Sequence, residues 1–333
     1  MKKISAIIPA YNCDKFIEST IKSIQEQNYE NIEILIINDG STDNTLQICE
    51  KLASIDDRIC IINQINSGVS KARNTGLDHA TGDYIHFVDA DDKLVRNLYS
   101  KISQYLDDDY DVIRFDYKKN NEKDIEFKTL INNVNHEEIE NQIIKKILKF
   151  EMTAYVWQIL FKNTKNVRFN EKLKTIEDNA FCIELFFNCN SMLITNEKLY
   201  EYNVTNMNSA TRNIDKTRIM MENLLVANTE IKKLLYKLLP SKKEYIEILD
   251  SYNFHFYCNY FEILYKNLKS KKKTIGLFKE MDNLYNIKEI FNNFNFSLLC
   301  RKHQITTKLT MKKKYNTLWL LYKLKNLVIC KNK

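Results

Sequence analysis

Residues 84–94, YIHFVDADDKL, place an apolar run directly before three carboxylates, Asp89, Asp91 and Asp92. The run has the length and composition of a buried strand. Charges gathered at the tip of such a strand repel one another and lose hydration, which raises the free energy of the fold. One hard divalent cation shared by Asp89 and Asp91 would cancel that cost. A helix cap near Leu94 explains Asp92 but not Asp89, so we expect Asp92 alone to be the cap.

The chain around this stretch alternates strands with helices up to about residue 117, which is typical of βαβ units and a mostly parallel sheet. Predicted strands are 4–9, 32–39, 59–63, 84–90 and 110–117, with helices near 14–27, 43–54, 69–80 and 94–106. Residues 118–138 are polar and irregular. After them the pattern predicts helices near 137–150 and 177–188, a strand at 198–204 and helices from Asp215 onward.

Polar motifs follow the first four strands, and ligands of an open parallel sheet bind at the carboxyl ends of its strands. In NDGSTDNT (38–45), Asp39 lies at a strand tip, although a capped loop also explains this segment. In SGVSKARNTGL (67–77), Lys71 and Arg73 begin a helix and suit a diphosphate, or else Lys71 is solvated on an amphipathic helix. No GxGxxG or GxxxxGK[ST] occurs, which argues against dehydrogenase and P-loop functions.

The composition is that of a folded protein, with 333 residues, 44% of them hydrophobic and 28% charged. The eight cysteines are dispersed without a CxxC pair, so we expect reduced thiols in a cytosolic protein. The apolar run near the N-terminus breaks at Pro9, which predicts a first strand and no export signal. The sequence contains no run of 18 apolar residues, so no membrane-spanning helix is predicted.

The net charge of +7 is concentrated at the C-terminus, where residues 301–333 contain ten Lys or Arg and no Asp or Glu. Within this tail Leu318, Trp319, Tyr322 and Leu327 could form the apolar face of a basic helix on anionic lipid. The alternative is a helix that packs on its own domain with its lysines in water. Nucleic acid is not expected as a partner, because the charge lies in one tail without a nucleic-acid-binding motif.

Four motifs in order, SAIIPAYN (5–12), IEILIINDGSTDNT (32–45), NSGVSKARNTGL (66–77) and GDYIHFVDADD (82–92), with IEDNAFCIEL (176–185), resemble the family 2 glycosyltransferases of bacteria. These are inverting enzymes with the GT-A nucleotide-sugar-binding fold. The resemblance is strong to about residue 117, weaker over 153–212, and absent from the final third. It implies an α/β GT-A domain at 1–212, in a nucleotide-binding half (1–117) and an acceptor-side half (118–212), and a mainly α-helical C-terminal region at 213–333.

The resemblance implies roles for individual positions. Contacts to the nucleotide-sugar would come from Pro9, Ala10, Tyr11, Asn12, Asp39, Lys71, Arg73, Asp89, Ala90 and Asp91. Asp89 and Asp91 would form the DxD pair that binds Mn²⁺ or Mg²⁺. Asp178 of the Glu177-Asp178 pair would be the general base at the acceptor side, where inversion requires one.

Other acceptor-side assignments are less specific. Ile176 stands where the family often has Gly before the acidic pair. Trp157 would flank the sugar or belong to the core. Asn208, Ser209 and Arg212 would close over the acceptor or lie in a plain surface loop. His86 is expected to be structural, on the face opposite Phe87.

These features together predict transfer of a hexose or N-acetylhexosamine, such as galactose, glucose or GalNAc, from a UDP-sugar to a growing surface glycan. The acceptor would be lipopolysaccharide, capsule or another lipid-linked oligosaccharide at the inner face of the cytoplasmic membrane, with residues 301–333 as a peripheral contact. A second copy of the chain is left open as a partner. The alternatives are a nucleotidyltransferase on a similar sheet and a non-catalytic subunit of glycan assembly.

Overall fold

The computed structural model describes residues 1–119, 131–149, 151–164, 166–205, 217–268, 270–299 and 301–331. The chain forms two compact units, Met1–Ile144 with Thr153–Asn213 and Lys145–Met152 with Ile214–Lys333. The sequence predicts residues 145–152 in the first domain, but they belong to the second unit. There Lys145 Nζ lies 2.9 Å from the Glu244 carboxylate and 5.2 Å from the centre of the Tyr245 ring, both in the second unit.

One β-sheet forms the centre of the first unit. Its strands in the described residues are β1 (Ile4–Ala10), β2 (Ile32–Asp39), β3 (Ile59–Gln64), β4 (Tyr84–Phe87), β5 (Lys93–Leu94), β6 (Val112–Lys119), β7 (Ile131–Asn135), β8 (Ile159–Lys162) and β9 (Ser191–Tyr202). Their order is β3-β2-β1-β4-β8-β6-β9-β5, and β7 pairs with β9. Pairing is parallel throughout β3-β2-β1-β4 and between β6 and β9, and antiparallel at the other described pairs. The predicted parallel motif strands therefore end at one edge.

Helices cover both faces of the parallel strands. Those in the first part of the chain are α1 (Ile17–Gln25), α2 (Thr45–Ala53), α3 (Val69–His79), α4 (Leu98–Asp107), α5 (His136–Glu138), α6 (Lys145–Leu148) and α7 (Glu177–Phe187), with a π-helical segment (Ile139–Ile144) between α5 and α6. Ile17 and Ile21 of α1 share one apolar core with Ile8 of β1. Helix α3 packs on the other face, where a Cβ on Gly76 would overlap Ile7.

The first two strand-end loops are joined by hydrogen bonds. Asn12, in the left-handed region with φ of 48°, accepts from the Thr42 backbone N–H at 2.8 Å. The Cys13 N–H donates to Thr45 Oγ1, also at 2.8 Å. Asparagine tolerates this backbone region better than most residues, and its side chain is short enough to bond across the loops. The two loops therefore form one rigid edge.

Several predicted boundaries are wrong. The helix predicted from residue 94 begins at Leu98, because Lys93–Leu94 instead pairs with β9 as strand β5. Strand β7 lies wholly inside the segment expected to be irregular, and β8 follows Trp157 without having been predicted. Both strands are stabilised by partners distant in sequence, since β7 pairs with β9 and β8 with β4 and β6.

The second unit is helical, as predicted. Its further helices are α8 (Thr217–Leu238), α9 (Lys243–Leu268), α10 (Lys271–Tyr285), α11 (Ile287–Ile290), α12 (Arg301–Met311) and α13 (Tyr315–Lys331). Ring contacts join α9, α10 and α13: the Phe261 ring meets Phe278 edge-on at 5.1 Å and stacks on Tyr322 at 6.1 Å. No helix among the described residues is long and apolar enough to cross a membrane.

The apolar face predicted for lipid contact is used inside this unit. Leu318 and Tyr322 are buried, and the Trp319 ring packs 4.5 Å from that of Tyr265. The prediction that α13 places these three side chains on lipid is therefore wrong, and the alternative of a helix packed on its own domain is correct for them. Lipid contact through residues 301–333 stays a prediction that rests on exposed lysines such as Lys312 and Lys323.

Candidate active site

Asp39 anchors the loop that leads into α3. Its buried carboxylate accepts hydrogen bonds from Gln64 Nε2 (2.7 Å) and from the backbone N–H groups of Ser67 and Gly68 (2.8 Å each). Gly40 beside it has φ of 70°, and a Cβ there would lie 2.8 Å from the backbone nitrogen of Asn66. Asp39 thus orients the N-terminus of α3, and its predicted contact to uridine stays a prediction.

Arg73 is the centre of the site. It lies one turn into α3, and only 3% of its surface is exposed. Its Nη1 bonds to Asp178 Oδ1 (2.7 Å) and Glu177 Oε1 (3.2 Å), and its Nη2 bonds to Asp89 Oδ1 (3.2 Å). The guanidinium carbon is 5.1 Å from the centre of the Phe169 ring. One buried cation therefore joins the predicted metal carboxylate to the predicted base.

The environment of this cluster raises the pKa of Asp178 into the neutral pH range. Burial raises the pKa of Asp178 to about 7, with smaller raising effects from Glu177 and Asp89 that Arg73 opposes. Burial likewise raises the pKa of Asp89, although Arg73 opposes the shift. Although burial disfavours the charged guanidinium, the three carboxylates raise the pKa of Arg73, so it stays charged. Asp178 consequently titrates near neutral pH, where a general base is most effective.

The acidic loop after β4 is held from two sides. Thr20 Oγ1 donates to the backbone carbonyls of Ala90 (2.9 Å) and Asp92 (2.7 Å). Asp92 is buried and accepts from the Tyr200 hydroxyl (2.9 Å) and the Asn203 N–H (2.7 Å). The prediction that Asp92 caps the next helix is therefore wrong, because β5 intervenes before α4 and Asp92 instead ties the loop to β9. Asp89, which Arg73 binds, and Asp91 are each partly exposed, and their predicted contact to a ligand stays a prediction.

Replacement of Asp92 tests this tie. In Asp92→Ala the Tyr200 hydroxyl and Asn203 N–H lose a buried acceptor, so we expect a loss of about 3 kcal/mol of unfolding free energy in urea denaturation. Burial raises the pKa of Asp92, with help from Asp89 and Asp91. The neutral, isosteric Asp92→Asn variant is therefore the matched control and should lose less than about 1 kcal/mol. Equal losses in the two variants would contradict the hydrogen-bonding role.

Helix α7 begins at Glu177 from an unusual backbone conformation. Ile176 has φ of 64°, in the left-handed region that β-branched residues rarely occupy. This is the position where the resemblance predicts Gly, and the backbone has the conformation that Gly would adopt without strain. The strain costs on the order of 1–3 kcal/mol and is kept next to the carboxylates that Arg73 binds.

Lys71 lies away from this cluster. Its ammonium is 3.5 Å from the Glu171 carboxylate, beside a cavity of about 510 Å³ that Arg168 and Lys172 also line. Residues two apart on an α-helix lie about 200° apart around its axis, so Lys71 and Arg73 point to different sides. The prediction that both cations face one cleft is therefore wrong.

Lys174 is a basic residue that the sequence analysis missed. Its Nζ lies 3.7 Å from the position that a Cβ on Gly68 would occupy, at the start of α3. No carboxylate in the described part of the chain lies within ion-pair distance of it. The sequence signal was slight: KLKTIED places a lysine three residues before the acidic pair.

The remaining predicted residues differ in position. Pro9 and Ala10 end β1, and Tyr11 follows with 52% of its surface exposed. Trp157 is buried between the rings of Tyr155 and Tyr200, which agrees with its core alternative. Asn208, Ser209 and Arg212 lie outside the described residues.

His86 has a structural role, as predicted. Both ring nitrogens are hydrogen-bonded, Nδ1 with the Tyr99 hydroxyl (3.0 Å) and Nε2 with the Trp157 carbonyl (3.1 Å). Burial lowers the pKa of His86 to about 4, so the ring is neutral at physiological pH. It therefore fixes β4 against the aromatic core and does not act as a proton carrier.

One edge of the sheet thus gathers Asp89, Arg73 and the Glu177-Asp178 pair, at the place where an open parallel sheet binds its ligand. The chain belongs to glycosyl transferase family 2, whose family model matches residues 5–201. Glycosyltransferase GlyA of Streptococcus pneumoniae is 46% identical over 110 residues, which are 32% of this chain and 16% of GlyA. The uncharacterized glycosyltransferase EpsJ of Bacillus subtilis is 32% identical over 216 residues, 62% of each chain. The matches thus span less than two thirds of both curated relatives.

The fold also agrees with a solved structure. The crystal structure of residues 1–349 of TarS from Staphylococcus aureus, in complex with UDP-GlcNAc, superimposes with a TM-score of 0.68 at 20% identity, covering 98% of this chain and 92% of that one. TarS is named a poly(ribitol-phosphate) β-N-acetylglucosaminyltransferase. The predicted GT-A-type fold with a helical C-terminal region is therefore confirmed.

Proposed function

We propose that this chain is an inverting glycosyltransferase that moves a hexose or N-acetylhexosamine from a UDP-sugar to a hydroxyl group of a glycan. The observation that carries the proposal is the Arg73 cluster, in which Asp89 of the DxD motif and Asp178 of the distant acidic pair bind one guanidinium. Inversion needs a base on the acceptor side of the anomeric carbon, which Asp178 would supply, and charge neutralisation on the diphosphate side, where Asp89 would hold a cation. In the cluster only the Arg73 guanidinium separates the carboxylate of Asp89 from that of Asp178.

The donor would lie along the strand-end edge. The exposed Tyr11 ring is available to stack on uracil, and the start of α3 with Lys174 offers positive charge for the diphosphate. An ammonium beside a helix N-terminus is unfavourable unless an anion lies between them. A diphosphate bound between them would therefore explain why Lys174 lies over Gly68 without a carboxylate partner in the described residues.

Asp89 and Asp91 would hold a divalent cation, Mn²⁺ or Mg²⁺. In the described residues no group of three or more His, Cys, Asp or Glu side chains forms a complete metal site. Two carboxylates fit a metal whose remaining ligands are diphosphate oxygens and water, and carboxylate oxygens are the ligands that such hard ions prefer. Burial raises the pKa of Asp89, and a nearby cation would relieve that cost. When bound, the cation neutralises charge on the departing UDP.

Asp178 would take the proton from the acceptor hydroxyl. Arg73 holds its Oδ1 and the Val156 N–H contacts its Oδ2 at 3.5 Å, so the carboxylate has a fixed orientation. Its raised pKa makes it a stronger base than an exposed aspartate. Glu177 shares Arg73 and would help to keep the base oriented.

A panel of UDP-sugars, with and without Mn²⁺ or Mg²⁺, tests this function. We expect UDP to be released from at least one donor, and chelation of the metal to reduce the rate about 100-fold or more. Asp91→Asn should cause a similar loss, whereas Asp57→Asn in an exposed turn is the matched control and should not. Pyrophosphate as the product would favour the nucleotidyltransferase alternative. Absence of UDP release across the panel, with intact folding, would favour a non-catalytic subunit.

A further inference from the structure

Five aromatic rings form a compact stack next to the base. The Trp157 ring lies 4.9 Å from Tyr155 at 12°, 4.4 Å from Tyr200 at 19° and 5.7 Å from Tyr202 at 11°, while the Tyr117 ring meets Trp157 edge-on at 5.1 Å. Trp157 and Tyr200 are buried, whereas 39% of Tyr155 is exposed. Tyr155 is therefore the outer ring of a stack whose inner members belong to the core.

The inner end of the stack is fixed to the acidic loop. The Tyr200 hydroxyl donates to Asp92 Oδ2 and accepts from the Asp89 N–H at 3.1 Å. The Trp157 carbonyl bonds to His86, and the next residue, Gln158, is fully buried. The stack therefore cannot shift without breaking these bonds, so Tyr155 is held as a preorganised surface.

The outer end of the stack lies beside Asp178. Val156, the residue after Tyr155, contacts Asp178 Oδ2 through its N–H. Burial raises the pKa of the Tyr155 hydroxyl, and the charges of Tyr117, Tyr202 and Asp178 add to the shift. The ring is therefore neutral at physiological pH and close enough to feel the charge of the proposed base.

We propose that Tyr155 is the stacking platform for a pyranose ring at the end of the acceptor, an inference that rests on the proposed function. A pyranose has a flat face of C–H groups that packs on a neutral aromatic ring, and its hydroxyls would then lie beside Asp178. An open-chain polyol phosphate has no such face. This chain would thus prefer a sugar ring to a polyol phosphate.

The test compares acceptors and variants by initial-rate kinetics in which donor and acceptor concentrations are varied in turn. The acceptors are a panel of neutral octyl pyranosides and ribitol 5-phosphate, and the readouts are UDP release, glycosylated product and the KM of donor and acceptor. In Tyr155→Leu, which keeps bulk without a π face, we expect acceptor KM to rise about tenfold. Tyr155→Phe should stay within about threefold of wild type, and donor KM should not change in either variant. Tyr236→Ala removes an exposed tyrosine of the second unit and is the matched control.

Each outcome decides between this inference and the proposed function. A pyranoside that is a better acceptor than ribitol 5-phosphate, with a KM sensitive to Tyr155→Leu but not to Tyr155→Phe, supports the platform. UDP release that no pyranoside accelerates, or that ribitol 5-phosphate accelerates more, overturns the platform but leaves the transferase intact. An equal rise of donor and acceptor KM assigns Tyr155 a purely structural role and overturns it as well. No UDP from any donor overturns both proposals.

Discussion

Asp178→Asn should lower kcat for sugar transfer about 1000-fold while donor KM changes less than about threefold. Asparagine keeps the size of the side chain and an oxygen for Arg73, but it cannot accept a proton from the acceptor hydroxyl. The measurement is initial-rate kinetics of UDP release with a saturating acceptor. Asp111→Asn is the matched control, because Asp111 is a similarly shielded carboxylate that pairs with Lys162, away from the Arg73 cluster, and its loss should leave kcat unchanged.

The same residue predicts a pH dependence. With the pKa of Asp178 raised to about 7, the carboxyl is protonated below that pH and cannot act as a base. The kcat of wild type should therefore fall about tenfold for each pH unit below 7 and reach a plateau above it. The residual kcat of Asp178→Asn should not fall in this way below pH 7. The assignment of the base would be contradicted if wild-type kcat fell only near pH 4, or if the fall below pH 7 persisted in Asp178→Asn.

The stability of the fold has a related pH dependence with the opposite sign. The pKa of Asp178 in the folded protein lies above that of an unfolded aspartate. Its contribution to the free energy of unfolding is therefore fully present below the pKa of the unfolded state. That contribution is lost as pH rises through about 7. As the pH rises from 5 to 8, Asp178→Asn should therefore become more stable relative to wild type, although the variant is inactive at both pH values. This separates a catalytic defect from a folding defect.

The parallel part of the fold is predictable because its information is local. The strands β1 to β4 are short apolar runs followed by turn and cap residues, and each helix between them has its own apolar face. Strands β5, β7 and β8 are different, since two to five residues become strands only by pairing with β9, β4 or β6. Those partners lie about 45 to 110 residues away, and nothing in the short segments themselves indicates them.

The site is predictable in its residues and less so in its contacts. The spacing of Asp89 and Asp91, and the acidic pair before α7, indicate carboxylate chemistry without a structure. Arg73 binds both Asp89 and Asp178, which follow it by 16 and 105 residues in the sequence. Only the fold brings these two carboxylates to the same turn of α3. The separation of Lys71 from Arg73 could have been predicted, because helical periodicity puts them on different sides. The tie between Asp92 and Tyr200 could not, since it depends on the register of β9.

Arg73→Ala should be the most destabilising single change at the site. Removing the guanidinium leaves three carboxylates without their common cation, and the Arg73, Glu177 and Asp178 side chains are only 4%, 16% and 16% exposed. Breaking a buried ion pair from one side costs about 3–5 kcal/mol, because the remaining charge loses its partner without regaining water. We therefore expect a loss of about 3 kcal/mol of unfolding free energy at pH 8 in urea denaturation.

The loss in Arg73→Ala should also depend on pH. Arg73 lowers the pKa of Asp89 and Asp178, so its removal raises both further above their unfolded values. Protonation relieves the repulsion among the carboxylates of the variant at a smaller free-energy cost at pH 5 than at pH 8, so the difference in unfolding free energy from wild type should be smaller at pH 5. Arg58→Ala is the matched control: Arg58 forms its ion pair with the single carboxylate of Asp56 within the described residues and is 32% exposed, so its removal should cost less than about 1 kcal/mol. Equal losses for the two arginines, or a gap that does not change with pH, would show that the three carboxylates do not depend on Arg73.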